Sequence, residues 1–142
     1  MKVPRPVNQP VRSFAPGTPE RTTLRKSLAQ QSSQPIEIPL LIDGKEVQTG
    51  RMAKTVMPHR HRHVLATRQK AGTKEVAQAI QAALKAHKEW SSWKFEDRAA
   101  IFLRAAELLA TVRRDDVNAA TMLNQSKTAH QSEIDAVCEA ID

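Results

Sequence analysis

The chain has 142 residues, 40% hydrophobic and only 4% aromatic, with a net charge of +7. This length suits one ordinary domain, and the single cysteine excludes an internal disulfide and a CxxC metal site. No apolar stretch reaches the length of a membrane span. Thirteen Lys or Arg oppose four Asp or Glu in residues 1–70. A basic nucleic-acid-binding module is therefore one hypothesis, although few aromatic rings are present to stack on bases.

Residues 1–35 are predicted to form an extended, Pro-rich arm rather than a domain, because residues 1–20 hold five prolines and no periodicity. Thr18-Pro19-Glu20 predicts the start of a short helix within it, since proline suits the first helical position. The N-terminus is basic, but its prolines disfavour an amphipathic targeting helix and no apolar segment of a signal peptide follows. We therefore expect a cytoplasmic protein.

Short strands are predicted for residues 36–70. Residues 36–48 alternate in polarity around Asp43-Gly44, a dipeptide typical of a type I′ turn, and this pattern predicts an antiparallel hairpin. Residues 55–57 and 64–67 are predicted as two further strands, which a turn rich in His and Arg separates. A polar linker over residues 30–34 precedes the hairpin.

About four helices are predicted for residues 73–142, where the apolar spacing becomes helical. The first has Thr73 as its N-cap and runs to about Trp90. The second ends in a basic turn at Arg113-Arg114, and Asp115-Asp116 open the third. The buried stripe predicted for the second helix consists of Ile101, Phe102, Ala105, Leu108, Leu109 and Val112.

The fourth predicted helix begins near residues 126–128 and carries one apolar stripe, formed by Ile134, Val137, Cys138 and Ile141. No Gly, Pro or basic turn follows this stripe, so we expect a truncated chain. The order of arm, antiparallel strands and helices predicts an α+β fold. Its helices leave an open apolar stripe, for which we expect a partner.

Three histidines, His59, His61 and His63, lie at alternate positions and would share one face of a strand, where they are plausible zinc or copper ligands. No fourth ligand is near in sequence, and the flanking arginines repel a cation. Pro58 also indicates a turn. A solvated or interface loop is therefore favoured, and no metal site is predicted.

No catalytic or cofactor-binding residue is predicted from the residues alone. Cys138 is a candidate nucleophile, but its place on a mid-helix apolar stripe favours a small buried residue. Glu133, Asp135 and Glu139 are predicted to be solvated residues of the polar face. Four glycines without GxGxxG or Walker A spacing provide no phosphate cradle. Trp90 and Trp93 are predicted as packing anchors.

The ordered series "IDGKEV", "KEW", "DRAAIFLRAAELLA" and "EID" resembles the start of the aldehyde dehydrogenase superfamily. Finer details are similar to its 1-pyrroline-5-carboxylate dehydrogenase branch. Residues 7–10 and 17–21 resemble that branch's "NEP…GSPER" arm, and residues 122–128 with 131–135 resemble its "MxGQxKTxxQAEIDAxxExID". The resemblance implies that residues 36–142 are the start of the NAD-binding domain of the α/β aldehyde dehydrogenase fold, truncated, with strands in 36–70 and helices in 73–142.

The resemblance implies NAD-dependent oxidation of L-glutamate γ-semialdehyde to glutamate in proline degradation. In this family a cysteine thiol attacks the aldehyde, hydride passes to NAD, and a glutamate activates the water that hydrolyses the thioester. In that family the reactive cysteine, the glutamate and the NAD-binding part lie downstream of the region that this chain resembles. The chain alone is therefore expected to be inactive, not to bind NAD, and to need the remainder of the enzyme or an oligomeric partner to fold.

One site residue follows from the resemblance. Glu139 matches the second glutamate of "EIDAxxExID", whose implied role is polar contact with the amino acid end of the substrate; a plain solvated glutamate is the alternative. The chain departs from the branch at Asn124, where glycine is usual, and at Arg60 and Arg62. The lost glycine predicts strain at a turn that needs positive φ. A non-catalytic interaction module that docks on a partner chain is the alternative function.

Overall fold

A computed structural model of the chain describes residues 4–142. In chain order its elements are helix α1 (Pro19–Ser33), strands β1 (Ile36–Ile38), β2 (Leu40–Ile42), β3 (Lys45–Val47), β4 (Met52–Met57) and β5 (Arg60–Gln69), helices α2 (Thr73–Trp90), α3 (Phe95–Ala110), α4 (Arg114–Gln125) and α5 (Ala129–Ser132), a π-helical turn (Glu133–Cys138) and helix α6 (Glu139–Ile141). We call the continuous residues 129–141 the last helix. The predicted mixture of short strands followed by helices is confirmed. Among the described residues, no helix is both long and apolar enough to cross a membrane.

The arm is extended only as far as residue 18. Helix α1 begins at Pro19, as predicted, because the fixed φ of proline matches the first helical position. It continues to Ser33, so the linker predicted over residues 30–34 is almost entirely helical. Ser32 and Ser33 donate their hydroxyls to carbonyls of their own helix, at 3.1 and 2.7 Å, and such bonds accommodate serine within a helix.

The strands form two sheets rather than one antiparallel set. Strands β2 and β3 pair as a hairpin around Asp43-Gly44, and both turn residues have positive φ (54° and 70°), as a type I′ turn requires. Strand β1 instead pairs in parallel with β5, in a sheet of order β1-β5-β4. The predicted start of the hairpin at Ile36 is therefore wrong. Pro39 follows β1, and because it has no N–H it cannot continue the ladder.

The buried core lies between the arm, α1 and α4. Phe14, Leu24 and Ala119 are buried there. The partly buried residues packed against them are Leu28, Met122 and Ala129. Phe14 occupies the left-handed region, with φ of 51°, and its carbonyl accepts a bond from Arg21 Nη1 at 3.1 Å. Packing of the Phe14 ring thus holds a backbone conformation that is costly for a residue with a Cβ.

Helices α2 and α3 contribute no buried residue. The open apolar stripe predicted for this region is confirmed on α2, where Val76, Ile80 and Leu84 are all exposed. The buried stripe predicted for α3 is wrong in this chain, because Ile101 and Phe102 are exposed. Helix α3 contacts α4 and the last helix, and α2 contacts β2, but these contacts leave the exposed apolar residues uncovered. The predicted packing anchors do meet, with ring centroids 5.6 Å apart for Trp90 and Trp93.

The strain predicted at Asn124 is not present. Asn124 lies within α4 and is not among the residues with positive φ. The left-handed residue is Ser126, the C-cap of that helix, with φ of 56°. The last helix then begins at a capping box, in which Thr128 Oγ1 accepts from Gln131 N at 3.3 Å and Thr128 N donates to Gln131 Oε1 at 3.0 Å.

Replacing Ser126 by glycine is expected to stabilise the chain by about 1 kcal/mol, because glycine adopts the left-handed conformation without a Cβ penalty. The exposed bond between Ser126 Oγ and His59 Nδ1 (2.8 Å) is lost in this variant, which offsets part of the gain. Urea titration of the free energy of unfolding measures the effect. Asn124→Gly is the matched control and should be slightly destabilising, so a loss of stability in Ser126→Gly would contradict the expectation.

Candidate functional site

The best-organised polar site is a buried ion pair between α4 and the last helix. The side chains of Arg114 and Glu133 are 1% and 0% exposed. Both positions differ from the sequence predictions. Glu133 is not a solvated residue of the polar face, and Arg114 is the first residue of α4 rather than part of the last turn of α3. We call these two residues the buried pair.

Four donors surround the Glu133 carboxylate. Arg114 donates from Nε (3.1 and 3.3 Å) and from Nη2, and Asn118 Nδ2 donates to Oε2 at 2.7 Å. The fourth is the backbone N–H of Arg12, 2.9 Å from Oε1. Arg114 Nη2 also donates to the Pro10 carbonyl at 2.8 Å. The arm is thus hydrogen-bonded to both members of the buried pair.

These contacts keep Glu133 ionised despite its burial. Burial alone raises the pKa of Glu133, because it removes water from the charged form. The hydrogen bonds from Arg114, the Arg12 backbone and Asn118, together with the positive charge of Arg114, outweigh burial and hold the pKa below its ordinary value. The pair is therefore fully charged at neutral pH.

A π-helical turn joins Glu133 to the residue proposed as a substrate contact. Its hydrogen bond runs from the Glu139 N–H to the Ile134 carbonyl, five residues back. Such a turn holds one residue more than a turn of α-helix. It places Cys138 beside Glu133, and Arg114 Nη2 lies 3.6 Å from Cys138 Sγ as well. The sequence pattern predicted a regular α-helix here and did not indicate this turn.

Cys138 is buried, as predicted. Burial raises the pKa of its thiol, and the negative charge of Glu133 raises it further, while Arg114 acts in the opposite direction. A thiol in this environment is mostly protonated at neutral pH and is a poor nucleophile. Cys138 therefore acts as a packing residue rather than as a nucleophile.

Glu139 and Asp135 are exposed, as predicted. Asp135 pairs with Lys127, with 2.7 Å between the carboxylate and Nζ. The carboxylate of Glu139 has no hydrogen bond or ion pair with the rest of residues 4–142. Glu139 begins α6 directly after the π-helical turn, so the geometry of that turn sets the direction of its side chain.

Two of the three histidines, His59 and His63, form hydrogen bonds to different parts of the chain. Only Pro58 and His59 form the turn, because β5 begins at Arg60. His59 Nδ1 lies 2.8 Å from Ser126 Oγ, and His63 Nε2 lies 2.9 Å from the Ser32 carbonyl. Within the part of the chain that the structure describes, no group of three His, Cys, Asp or Glu side chains could hold a metal ion.

Comparison with models of protein families assigns the chain to one family. The model of the "Aldehyde dehydrogenase family" matches residues 45–142, more than half of the sequence. The chain belongs to the aldehyde dehydrogenase family. Its resemblance to that family, first indicated by short motifs, is thereby confirmed.

Two curated relatives of this aldehyde dehydrogenase chain carry the same name. The delta-1-pyrroline-5-carboxylate dehydrogenase of Agaricus bisporus is 44% identical over 142 residues, which cover 99% of this chain and 26% of the relative. The human mitochondrial enzyme of the same name is 42% identical over 135 residues, covering 95% of this chain and 24% of the relative. The chain thus spans about a quarter of the length of the curated relatives it matches.

A solved aldehyde dehydrogenase structure extends the similarity to the fold. The delta-pyrroline-5-carboxylate dehydrogenase of Mycobacterium tuberculosis, in a crystal structure with bound NAD, matches with a TM-score of 0.96 and 46% identity. The match covers 100% of this chain and 27% of the other. The N-terminal arm, both sheets and all helices of the chain therefore have counterparts in that enzyme.

The buried pair was not predicted from the sequence, although one signal for it is present. Arg114 and Asn118 are four residues apart and so lie on one face of α4, beside the small apolar Ala119. Polar residues placed next to the apolar face of a helix indicate buried hydrogen bonding when a partner of opposite charge exists. Glu133 was that partner, but the helical spacing placed it with the solvated residues.

Proposed function

We propose that the chain is the N-terminal part of an NAD-dependent dehydrogenase that oxidises L-glutamate γ-semialdehyde, the open form of 1-pyrroline-5-carboxylate, to glutamate in proline degradation. One observation carries the proposal: similarity to the M. tuberculosis enzyme extends over the whole chain at 46% identity. Because the chain covers only 27% of that enzyme, the activity belongs to a longer protein of which these residues are one part.

The nucleophile of the reaction lies outside this chain. A family thiol that attacks an aldehyde needs a thiolate or a nearby base, whereas burial raises the pKa of Cys138 and Glu133 raises it further. Cys138 therefore has no part in the proposed chemistry. The chain's contribution is to the scaffold and to substrate contact.

The start of α2, a helix N-terminus where a phosphate of NAD could bind, is already occupied. The N–H of Gly72 at the start of α2 donates to Glu75 Oε2 at 2.7 Å, so a carboxylate already occupies the position that a phosphate would take. A Cβ at Gly72 would lie 2.5 Å from the Arg51 guanidinium, which fills the remaining space. We therefore place the NAD site in the remainder of the longer protein and derive no step through it from this chain.

The proposed role of Glu139 is recognition of the amino acid end of the substrate. Its carboxylate is exposed and makes no hydrogen bond or ion pair within residues 4–142. An exposed carboxylate on a fixed helix attracts the α-ammonium group of glutamate semialdehyde and can accept its hydrogen bonds. This contact would favour an amino acid aldehyde over a simple one without taking part in proton transfer.

The remainder of the enzyme is the proposed partner of the open helical faces. Val76, Ile80 and Leu84 on α2 and Phe102 on α3 expose large apolar surfaces, which proteins normally cover. The alternative, an interaction module that docks on a separately encoded partner, uses the same faces. A cytoplasmic location remains part of the proposal, although the human relative is named mitochondrial.

A chimera tests the proposed function. It joins residues 1–142 to the part of the M. tuberculosis enzyme that follows the matched region. We expect the chimera to form NADH with glutamate semialdehyde and the purified 142-residue chain to form none. A chimera that folds and binds NAD but does not oxidise this substrate would refute the proposal.

A further inference from the structure

We propose that Arg114 and Glu133 are positioning residues for substrate binding: with the N-terminal arm, the buried pair holds the π-helical turn that directs Glu139. This inference rests on the proposed role of Glu139 and extends it to residues that do not touch the substrate. Three features of the structure support it: the contacts at both ends of the turn, the rotation that the turn imposes, and the bonds from the arm.

The first feature is the span of the Arg114 contacts. The turn begins at Glu133 and ends at Cys138, and Arg114 Nη2 contacts the side chains of both residues. In a regular α-helix, residues five apart diverge by more than a quarter turn around the axis. The extra residue of the π-helical turn removes most of this divergence. One guanidinium can therefore contact both side chains only while the turn is present.

The second feature is the effect of the turn on Glu139. If the turn relaxed to regular α-helix, every residue after it would rotate by about 100° around the axis, the angle of one residue at 3.6 residues per turn. Glu139 is the first residue affected. Its carboxylate would then point toward a different part of the surface, although nothing in its own surroundings had changed.

The third feature is the fixation of the start of the turn by the arm and by Asn118. The Pro10 carbonyl and the Arg12 N–H each bond one member of the buried pair. Ser132, the residue before the turn, donates its hydroxyl to Asn118 Oδ1 at 2.9 Å, while Asn118 Nδ2 donates to Glu133. The arm therefore influences the direction of Glu139 through the buried pair, without approaching the substrate.

Cys138 is the single cysteine of residues 1–142, so in the chimera the modification of its own peptide, followed by mass spectrometry, reports on the turn without added labels. In Glu133→Gln the new amide N–H₂ faces Asn118 Nδ2, and two donors oppose each other. Adding Asn118→Asp restores a donor and an acceptor and keeps one carboxylate near Arg114. We expect Glu133→Gln to raise the rate of thiol modification by an aromatic disulfide reagent by at least about tenfold, equivalent to 1.4 kcal/mol of easier opening.

The double variant Glu133→Gln/Asn118→Asp should return the thiol rate to within a few-fold of the wild-type rate. Glu107→Gln removes an exposed partner of Arg104 and should leave the rate unchanged. A wild-type thiol that reacts as fast as it does in urea, or a rate unaffected by Glu133→Gln, would overturn the proposal.

The chimera separates positioning from a purely structural role. In it, Glu133→Gln is expected to raise the KM for glutamate semialdehyde with little change in kcat, and Asn118→Asp should partly reverse the increase. A structural role alone would lower the amount of active enzyme, and so the apparent kcat, at constant KM. A faster thiol reaction with unchanged KM would overturn the positioning role. An inactive unmutated chimera would instead refute the proposed function, while the thiol rates still decide whether the pair holds the turn.

Discussion

Glu133→Ala should lower the free energy of unfolding of the chimera by about 3–5 kcal/mol, since breaking a buried ion pair leaves the other charge without a partner. Arg114 is 1% exposed and would lose its carboxylate without access to water. Asn118 and the Arg12 N–H would also lose their acceptor. Urea unfolding measures the difference. Glu107→Ala is the matched control, because its pair with Arg104 is exposed and is worth under about 1 kcal/mol.

The same pair predicts a loss of stability in acid. The pKa of Glu133 is lower in the folded chain than its ordinary value of 4.5, so the folded state binds its proton less readily than the unfolded state. Its stabilising contribution is complete above about pH 4.5 and is lost as pH falls through the lower, folded pKa. The stability difference between wild type and Glu133→Ala should therefore shrink on acidification. A difference that does not change with pH would contradict this account.

Phe14→Ala should destabilise the chain by about 3–5 kcal/mol, the usual range for removing a buried phenylalanine. Phe14 is 4% exposed and packs with Leu24 and Ala119. The backbone at position 14 is left-handed in the wild type, and we expect it to stay so in the variant. Alanine therefore retains the conformational cost of a left-handed residue but loses the ring packing that offsets this cost. The expected result is a lower urea midpoint and faster cleavage of the arm by trypsin.

Val7→Ala is the control for Phe14→Ala, because Val7 lies in the same arm and is 84% exposed. Shortening this side chain should change the stability of the chimera by less than about 1 kcal/mol. Equal losses in the two variants would show that the arm does not contribute the core residue described above.

The regular elements could be predicted from local sequence. The first helix after Gly72 ends at Trp90 as predicted, because its apolar spacing and the Ser-rich segment after it both act locally. The Asp43-Gly44 turn was predicted correctly because its two positive φ values follow from the residue types themselves. Glu139 was proposed as a site residue from family resemblance alone, and its exposure agrees with the helical pattern.

The buried pair and the parallel strand could not be predicted in the same way, because both depend on contacts distant in sequence. Glu133 is buried by residues from α4 and from the arm, up to 121 positions away, and no local pattern contains that information. β1 pairs in parallel with β5, a pairing that Pro39 permits but does not specify. Helix α3 differs from both. Its helical spacing identified the apolar face correctly, but the prediction that this face is buried was wrong.

Substrate selectivity of Glu139→Gln in the chimera tests the central claim most directly. Loss of a charged hydrogen bond to the substrate ammonium should raise the KM for glutamate semialdehyde about tenfold or more, since such bonds contribute about 1.5–3 kcal/mol, and should leave the KM for propanal unchanged. Asp135→Asn, another exposed acid of the last helix, should alter neither value. An unchanged KM for glutamate semialdehyde, or an equal increase for both aldehydes, would contradict the assignment of Glu139 as the substrate contact of this chain.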